Sequence, residues 1–553
     1  MTLRDDAEVS KPEIDPATLD LTTDPYAQHI TTRLLDFFGD TSPWQRRLWD
    51  TGTVTALCEL DEASSWRAKS VLSSGAVNWL ASDIIRLAGK DIGVGNRELR
   101  SQLTSTLKSG VPHGSRNHRT LRQITDMVRV GYVGRWGAAV GGPSRPSPER
   151  LSRALASHLL DCGYSMRFLH RWVTGNVYAN NSLGELLDSA GSLSEHEVRE
   201  FEVMVPFISL PGMQLAEALP EWRNAGALNE WAHKRAAKLT STPMCGGFLY
   251  KIEARDHFGA GDATNETIDR IIARSSYTRK TGRGAKIPEP FGNVWVWDGS
   301  ECHEVALQPP GRGAFVLSLQ TEKQVYNVSR PTALDDALEL AAPLNYGSPG
   351  PAISGGWAAI EALLIAPGDN EDTKEGRGAV AADRMAALVS CSWPRGELTS
   401  LSHKHAPNTP DRLALELGNV STNRERAVLV ADALKSGRSL ELARPSDIAA
   451  AQRMQSLVNN PRSTLGDVTK HVTTALRRLY RQRNLLMHGG STNSVALQAT
   501  LRTAAPLVGA GLDRIIHASL NDGVDPLSLA SRALLNLRLV GGDDGRHLAD
   551  LLE

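Results

Sequence analysis

The residues best suited to chemistry are an arginine and a histidine in the stretch RQRNLLMHGG, residues 481–490. Arg483 and His488 have four residues between them, and Asn484 directly follows the arginine. An unperturbed histidine exchanges its proton near neutral pH, and an arginine stays charged and presents two parallel N–H donors to a phosphate. Such a pair can deprotonate a hydroxyl and stabilise the charge that develops on a phosphate.

These residues lie at the end of a long helical pattern, which also allows a purely structural role. Apolar residues recur at helical spacing before the motif and predict one buried face: Leu465, Val468, Val472, Leu476 and Leu479. Gly489 and Gly490 are expected to end the helix. In the structural alternative, Arg483 pairs with the last carbonyls or with Glu361, and His488 interacts with the helix dipole.

The motif Arg483-Asn484-Leu-Leu-Met-His488 resembles the R-x4–6-H motif of HEPN domains, and its flanks resemble the ApeA-like branch. WAAIEALL (357–364), which contains Glu361, resembles the first helix of that bundle. DRMAALV (383–389) resembles the second helix and carries Arg384, and LDRIIHASL (512–520) resembles the last. The resemblance covers about residues 350–545, and the first 340 residues resemble no family that we recognise.

This resemblance implies a helical bundle that forms a homodimer, so that two motifs meet in one cleft and cut RNA without a metal or other cofactor. His488 is then the general base for a ribose 2′-hydroxyl, and the second histidine of the dimer protonates the leaving oxygen. Arg483 stabilises the phosphate, and Asn484 orients either the phosphate or the histidine by hydrogen bonding. Glu361 and Arg384 support the site. The resemblance also implies a role in prokaryotic antiviral defence or in a stress response. The protein would then act like a toxin, with a regulatory or antitoxin partner.

The composition is that of a cytoplasmic, soluble protein. Hydrophobic residues make up 41% and charged residues 22% of the 553 residues, and the formal net charge is −1. A polyanion site must therefore be a local patch. The five cysteines are scattered without a CxxC, which argues against a disulfide framework or a zinc site. No apolar run is long enough for a membrane span, and the acidic amino terminus has no signal-peptide pattern.

The predicted fold class is mainly α, with a small antiparallel β meander between a large helical N-terminal region and a HEPN-type helical bundle. The predicted segments are an acidic disordered arm (1–27), a helical N-terminal domain (28–140), a helical middle region (151–275), a basic loop with the β meander (276–330) and the bundle (350–553).

Two local patterns lead to specific predictions in the middle of the chain. Ser194 and Glu197 have capping-box spacing, which predicts a helix start there. Four short runs, NVWVW, ECHEVAL, AFVLSL and KQVYNV, predict the strands of the meander. Trp295 and Trp297 alternate within the first run, so both should point to one face of the sheet.

A basic loop precedes these strands and is a candidate for RNA phosphate contacts. Its positive residues are Arg274, Arg279, Lys280, Arg283 and Lys286. No acidic residue interrupts this segment, which suits a nucleic-acid backbone, although a solvated linker has the same composition.

The sequence therefore favours a metal-independent endoribonuclease of HEPN type. One alternative is a non-catalytic HEPN module for dimerisation, RNA binding or sensing. Another is a metal- or nucleotide-dependent enzyme with its site in residues 30–290, although no P-loop or dinucleotide-binding motif occurs in the sequence. Five tryptophans of the N-terminal region are expected in the core: Trp44, Trp49, Trp66, Trp79 and Trp136.

Overall fold

The structure is a computed structural model that describes residues 15–239, 245–277, 287–328, 330–369 and 376–553. The helices of the N-terminal part are α1 (Pro25–Phe38), α2 (Thr53–Ala68), α3 (Ser74–Lys90), α4 (Arg97–Lys108), α5 (Arg116–Arg129), α6 (Tyr132–Gly141), α7 (Pro148–Asp161), α8 (Met166–Tyr178) and α9 (Leu183–Glu195).

Strands and helices alternate in the middle of the chain. They are β1 (Arg199–Ser209), α10 (Met213–Ala216), β2 (Trp222–Arg223), α11 (Ala225–Lys234), β3 (Gly247–Ala254), α12 (His257–Tyr277), β4 (Glu289–Pro290), β5 (Asn293–Trp297) and β6 (Cys302–Ala306).

The remainder is helical in the described residues. The helices are α13 (Ser318–Thr321), α14 (Ala333–Ala341), α15 (Pro343–Tyr346), α16 (Pro349–Leu364), α17 (Arg377–Ser402), α18 (Arg412–Gly418), α19 (Asn423–Lys435), α20 (Pro445–Asn459), α21 (Pro461–Gly489), α22 (Leu497–Asp522) and α23 (Pro526–Leu539). The prediction of a mainly helical fold with a small antiparallel sheet is confirmed. None of the described helices is long and apolar enough to cross a bilayer.

The chain forms two compact units, and the first comprises residues 1–161, 173–191 and 312–553. The N-terminal helices and the C-terminal bundle, which we predicted as separate domains, therefore belong to one unit. Buried ion pairs join them: Arg46 contacts Glu397 and Asp447 at 2.8 Å each. A shared charged contact of this kind cannot be recognised in sequence, because its partners lie hundreds of residues apart.

The described part of the predicted disordered arm is folded. Asp24 caps α1 by accepting hydrogen bonds from the backbone N–H groups of Tyr26 and Ala27. Leu19 and Leu21 are buried in front of this helix. The N–H of Leu183 also donates to the carbonyl of Leu19, and the hydroxyl of Tyr26 donates to the carbonyl of Pro146. These contacts hold the segment in place despite its polar composition.

The core of the C-terminal bundle is built by α16, α17 and α19–α23. Trp357 of α16 is fully buried and packs against Tyr480 of α21, with 4.8 Å between the ring centroids. In α21, Leu465, Val472 and Leu476 are fully buried, as the apolar stripe predicted. The bundle thus fixes the face of α21 on which the motif residues lie.

The second unit comprises residues 162–172 and 192–311 and contains the sheet. The strand order is β2-β3-β1-β5-β6, and β4 pairs with the end of β1. One face packs against α12 through Phe201, Val203 and Phe258. The other face packs against α11, and Trp295 and Trp297 lie on this side together, as their alternation predicted.

The middle region, predicted as helical, contributes β1, β2 and β3 to this sheet, so that prediction is wrong in part. The helix start predicted from Ser194 and Glu197 is also wrong, because α9 ends at Glu195 and β1 begins at Arg199. The run Arg199–Ser209 alternates in burial along its first half, and that two-residue period is the signal that the capping pattern obscured.

Two of the four predicted strands of the meander exist, namely β5 and β6. The run AFVLSL instead ends in the short helix α13, and KQVYNV forms no strand in its described residues. Asp513 of α22 accepts hydrogen bonds from the backbone N–H and the hydroxyl of Ser318. This contact with the bundle overrides the local preference for a strand.

Candidate functional site

The last two turns of α21 carry Arg483, Asn484 and His488. The helix ends at Gly489, and Gly490 follows with φ of 64°, in the left-handed region. The N–H groups of Gly490 and Ser491 both donate to the carbonyl of Leu485, which closes the helix end. The predicted helix stop is confirmed, and it places His488 one residue before the end of the helix.

Gly489 lies against the ring of Trp66, a residue of α2. A Cβ atom at this position would come within 3.0 Å of that ring. Trp66 is only partly buried, and the ammonium group of Lys69 lies 4.4 Å from the centre of its ring. Trp66 therefore borders the end of α21, whereas the sequence had suggested a core position.

Arg483 and His488 contact each other within one chain. The Nη1 atom of Arg483 lies 3.3 Å from Nε2 of His488 and 3.1 Å from Oδ1 of Asn484. Because a guanidinium group can only donate, Nε2 of the histidine accepts, and in this tautomer the ring proton is on Nδ1. This geometry leaves the histidine with a basic nitrogen beside a fixed positive charge.

Glu361 of α16 lies near the same arginine, at 3.7 Å from Nη2 of Arg483. The side chain of Arg483 is 26% exposed and that of Glu361 is 31% exposed. Because solvent screens the pair, it contributes about 1 kcal/mol or less to the free energy of unfolding. Glu361 is thus an orienting partner of Arg483, as the structural alternative anticipated. The contact leaves the other guanidinium nitrogen free to interact with Asn484 and His488.

A cavity of about 580 Å³ opens beside these residues. It is lined by Tyr480, Arg483, Asn484 and His488 of α21, by Arg67 of α2, by residues 70–73 between α2 and α3, and by Ser74, which begins α3. None of these lining residues is acidic. A second cavity of about 530 Å³ is also lined by Tyr480, together with Glu361 and Arg377. The motif thus borders a space with a net positive lining, in the size range of roughly 300–1,000 Å³ that ligand pockets occupy.

Helix α2 holds the end of α21 through residues spaced along one of its faces. Glu59 accepts hydrogen bonds from Nε of Arg478 at 2.8 Å and from Nη2 of Arg481 at 2.7 Å. Burial raises the pKa of Glu59, but the two guanidinium groups outweigh it and hold that pKa below its usual range. The carboxylate is therefore charged, and it forms ion pairs with two arginines of α21, Arg478 and Arg481.

One turn further along α2, Glu62 fixes the segment that follows the motif. Its Oε2 atom accepts a hydrogen bond from the hydroxyl of Ser494 at 2.7 Å and one from the N–H of Val495 at 3.3 Å. Burial raises the pKa of Glu62, and these hydrogen bonds partly offset that effect. Helix α2 therefore contacts the end of α21 at three places. Glu59 binds α21 before its last turn, Trp66 packs against that turn, and Glu62 binds the segment that follows it.

Arg384, expected to support the site, serves another purpose. Its guanidinium group forms an ion pair with Asp369, with Nη2 to Oδ1 at 2.8 Å, and donates to the carbonyl of Leu364 at 2.8 Å. These contacts tie the segment after α16 to α17. The hydrogen bonds and ion pair of Arg384 go to Leu364 and Asp369, and Arg384 is not among the residues that line the cavity of Arg483 and His488.

One of the five positive residues of the candidate RNA-binding loop lies within the described part of the chain. Arg274 is exposed near the end of α12, beside the exposed Tyr277. The other four predicted contacts, Arg279, Lys280, Arg283 and Lys286, lie outside the described residues. Arg274 belongs to the second unit, whereas the motif belongs to the first.

Sequence reasoning missed Arg67 and the turn between α2 and α3. No pattern in α2 signals that it borders a motif more than 400 residues away in the chain. The available signal was the spacing of Glu59, Glu62 and Trp66, which places polar and aromatic residues on one face of a helix. That spacing identifies one face of α2, but it does not show that α21 packs against this face.

Neither a search for metal-ligand clusters nor comparison with known proteins assigns a function to the chain. Among the described residues, no three histidine, cysteine, aspartate or glutamate side chains are grouped as metal ligands would be. No protein-family model, curated protein or solved structure matches this chain.

Proposed function

We propose that the protein is a metal-independent endoribonuclease of HEPN type, which cuts RNA by attack of a ribose 2′-hydroxyl on the adjacent phosphate. The observation that carries this proposal is the contact between Arg483 and His488, 3.3 Å apart, at a cavity without an acidic lining residue. The pairing of a proton acceptor with a permanent cation is what phosphodiester cleavage requires.

In this mechanism, Arg483 turns from His488 to the phosphate when RNA binds, which frees the lone pair of Nε2. Nε2 of His488 then removes the proton of the 2′-hydroxyl. The 2′-oxygen then forms a bond to phosphorus, and the bond from phosphorus to the 5′-oxygen breaks. Arg483 stabilises the additional negative charge on the phosphate oxygens, and Asn484 helps to orient the group. The departing oxygen takes a proton from an acid, for which a homodimer would supply the histidine of a second copy. The products are a 2′,3′-cyclic phosphate and a 5′-hydroxyl.

The assay uses end-labelled RNA with purified full-length protein and excess EDTA. We expect the wild type to cut and to leave cyclic-phosphate ends, and His488→Ala and Arg483→Gln to lose at least 100-fold in rate, the lower range for general acid–base groups. His403→Ala is the matched control, because His403 is exposed at the end of α17 and outside the cavity. A substrate with 2′-deoxyribose at the cleaved position should resist cutting. Equal cleavage by wild type and His488→Ala would refute the proposal.

A second candidate is a non-catalytic HEPN module that dimerises, binds RNA or acts as a sensor, in defence or stress. It is favoured by the ion pair between Glu361 and Arg483, which gives the arginine a structural partner. This candidate predicts RNA binding without cleavage. Fluorescence anisotropy with labelled RNA, run beside the cleavage assay, separates the two, because a nuclease gives both signals and a binding module only the first.

A further inference from the structure

Among the described residues, the guanidinium group of Arg67 has no partner at the cavity of the motif. Arg67 is partly exposed near the end of α2, and its side chain forms no hydrogen bond or ion pair with any residue that the structure describes. By contrast, the neighbouring arginines of α21, Arg478 and Arg481, share the buried carboxylate of Glu59. An arginine that lines a pocket and has no carboxylate beside it retains its full capacity to bind an anion.

The turn after Arg67 exposes further donors to the same space. Ser70 has φ of 60°, an uncommon conformation for a residue with a side chain, and it lines the cavity together with Ser73 and Ser74. This conformation closes the end of α2, because the N–H of Ser70 donates to the carbonyl of Arg67 and the N–H of Val71 donates to the carbonyl of Trp66. Residues 70–74 therefore add the hydroxyl groups of Ser70, Ser73 and Ser74 to the lining of the cavity that contains Arg67.

The cavity is large enough for more than one phosphate. Its volume of about 580 Å³ is that of a site for a nucleotide-sized ligand. Its two arginines come from different helices, Arg483 from α21 and Arg67 from α2. Only Arg483 contacts His488, so Arg67 has no part in the proton transfer.

We propose that Arg67 binds a second phosphate of the RNA strand, next to the phosphodiester that Arg483 and His488 cut. This inference rests on the proposed function, because it takes the occupant of the cavity to be RNA. It assigns the N-terminal helices a direct role in binding the strand, and it makes Arg67 a binding residue without a role in the chemical step. The favoured substrate is then a single-stranded oligonucleotide with at least two phosphates.

The test is the salt dependence of RNA binding. Full-length His488→Ala protein, which does not cut, is titrated with a fluorescein-labelled single-stranded RNA of 12 nucleotides at several NaCl concentrations. For single strands, each phosphate contact contributes about 0.7 to the slope of log K against log salt. Arg67→Gln in this background should therefore lower the slope by about 0.7 and weaken binding about ten-fold.

Two further variants show whether the effect belongs to this site. Arg67→Lys retains the charge, so it should retain the slope while losing part of the affinity. Arg119→Gln removes an exposed positive charge on α5, outside the cavity, and should change the slope by much less than Arg67→Gln. Thermal unfolding should be the same for Arg67→Gln and its parent, because the side chain of Arg67 makes no hydrogen bond or ion pair with the described residues.

The possible outcomes separate this inference from the proposed function. If Arg67→Gln and Arg119→Gln behave alike, the second phosphate site is refuted, even when the wild type cuts RNA. If Arg67→Gln lowers the slope but the wild type does not cut, the phosphate site stands and the nuclease is refuted. If the protein binds no RNA at any salt concentration, both are refuted.

Discussion

Replacing Glu59 by glutamine is the most informative perturbation of the structure that holds the candidate site. The Glu59 side chain is 3% exposed, and those of Arg478 and Arg481 are 1% and 3% exposed. Glutamine keeps the shape but removes the charge, so two buried guanidinium groups lose the carboxylate with which both form ion pairs. Breaking a buried ion pair by removing one partner costs about 3–5 kcal/mol. We expect Glu59→Gln to lower the free energy of unfolding by about that amount at pH 7.

The dependence on pH gives this prediction a definite sign. The pKa of Glu59 is lower in the folded state than the ordinary value of 4.5. The stability that its charge contributes is therefore fully present above pH 4.5 and is lost as pH falls through the folded value. The difference between wild type and Glu59→Gln should be largest near neutral pH and should shrink progressively below pH 4.5.

Urea unfolding followed by tryptophan fluorescence measures the effect. Glu98→Gln is the control, because Glu98 is exposed on α4, and it should change stability by about 0.5 kcal/mol or less. The double variant Glu59→Gln with Arg481→Met removes one of the stranded charges and should recover part of the loss. A loss for Glu59→Gln no larger than that of Glu98→Gln, or one that does not vary with pH, would refute the reasoning.

Three further predictions test individual contacts. Gly490→Ala should cost about 1 kcal/mol in urea unfolding, because its φ of 64° disfavours a Cβ, and Gly490→Asn should cost less. Arg384→Ala should destabilise by about 2 kcal/mol by breaking the ion pair with Asp369, and a loss below 0.5 kcal/mol would mean that the pair is not formed in solution. Burial and a neighbouring histidine lower the pKa of His257 from 6.5 to about 4. Wild-type stability should therefore fall as pH drops from 6.5 to 4, and His257→Phe should make unfolding curves less dependent on pH in that range.

Much of the fold follows from local patterns in the sequence. The apolar stripe of α21 and the two glycines after His488 specify a helix and its end, because both depend on neighbours within a few turns. The alternation of Trp295 and Trp297 likewise specifies a shared face of the sheet. Such features need no knowledge of distant parts of the chain.

The features that were missed depend on distant contacts. AFVLSL has the composition of a strand, but Ser318 is bonded to Asp513, which lies 195 residues later in the chain. The run that begins at Arg199 was obscured by a capping pattern, although its strand pairs with residues around position 250. At the candidate site, spacing identified Arg483, Asn484 and His488, which lie within one helix. Arg67 comes from a helix more than 400 residues away, and nothing near it in sequence points to the motif.

The dependence of α21 on α2 has a consequence for how this chain can be divided. Glu59, Glu62 and Trp66 supply the counter-charge, the loop anchor and the packing surface for the last turns of α21. A fragment that begins near residue 350 would expose Arg478 and Arg481 without their carboxylate. The C-terminal bundle therefore depends on the N-terminal helices. A fusion, truncation or recombination that separated the two would keep the motif but lose the residues of α2 that position it.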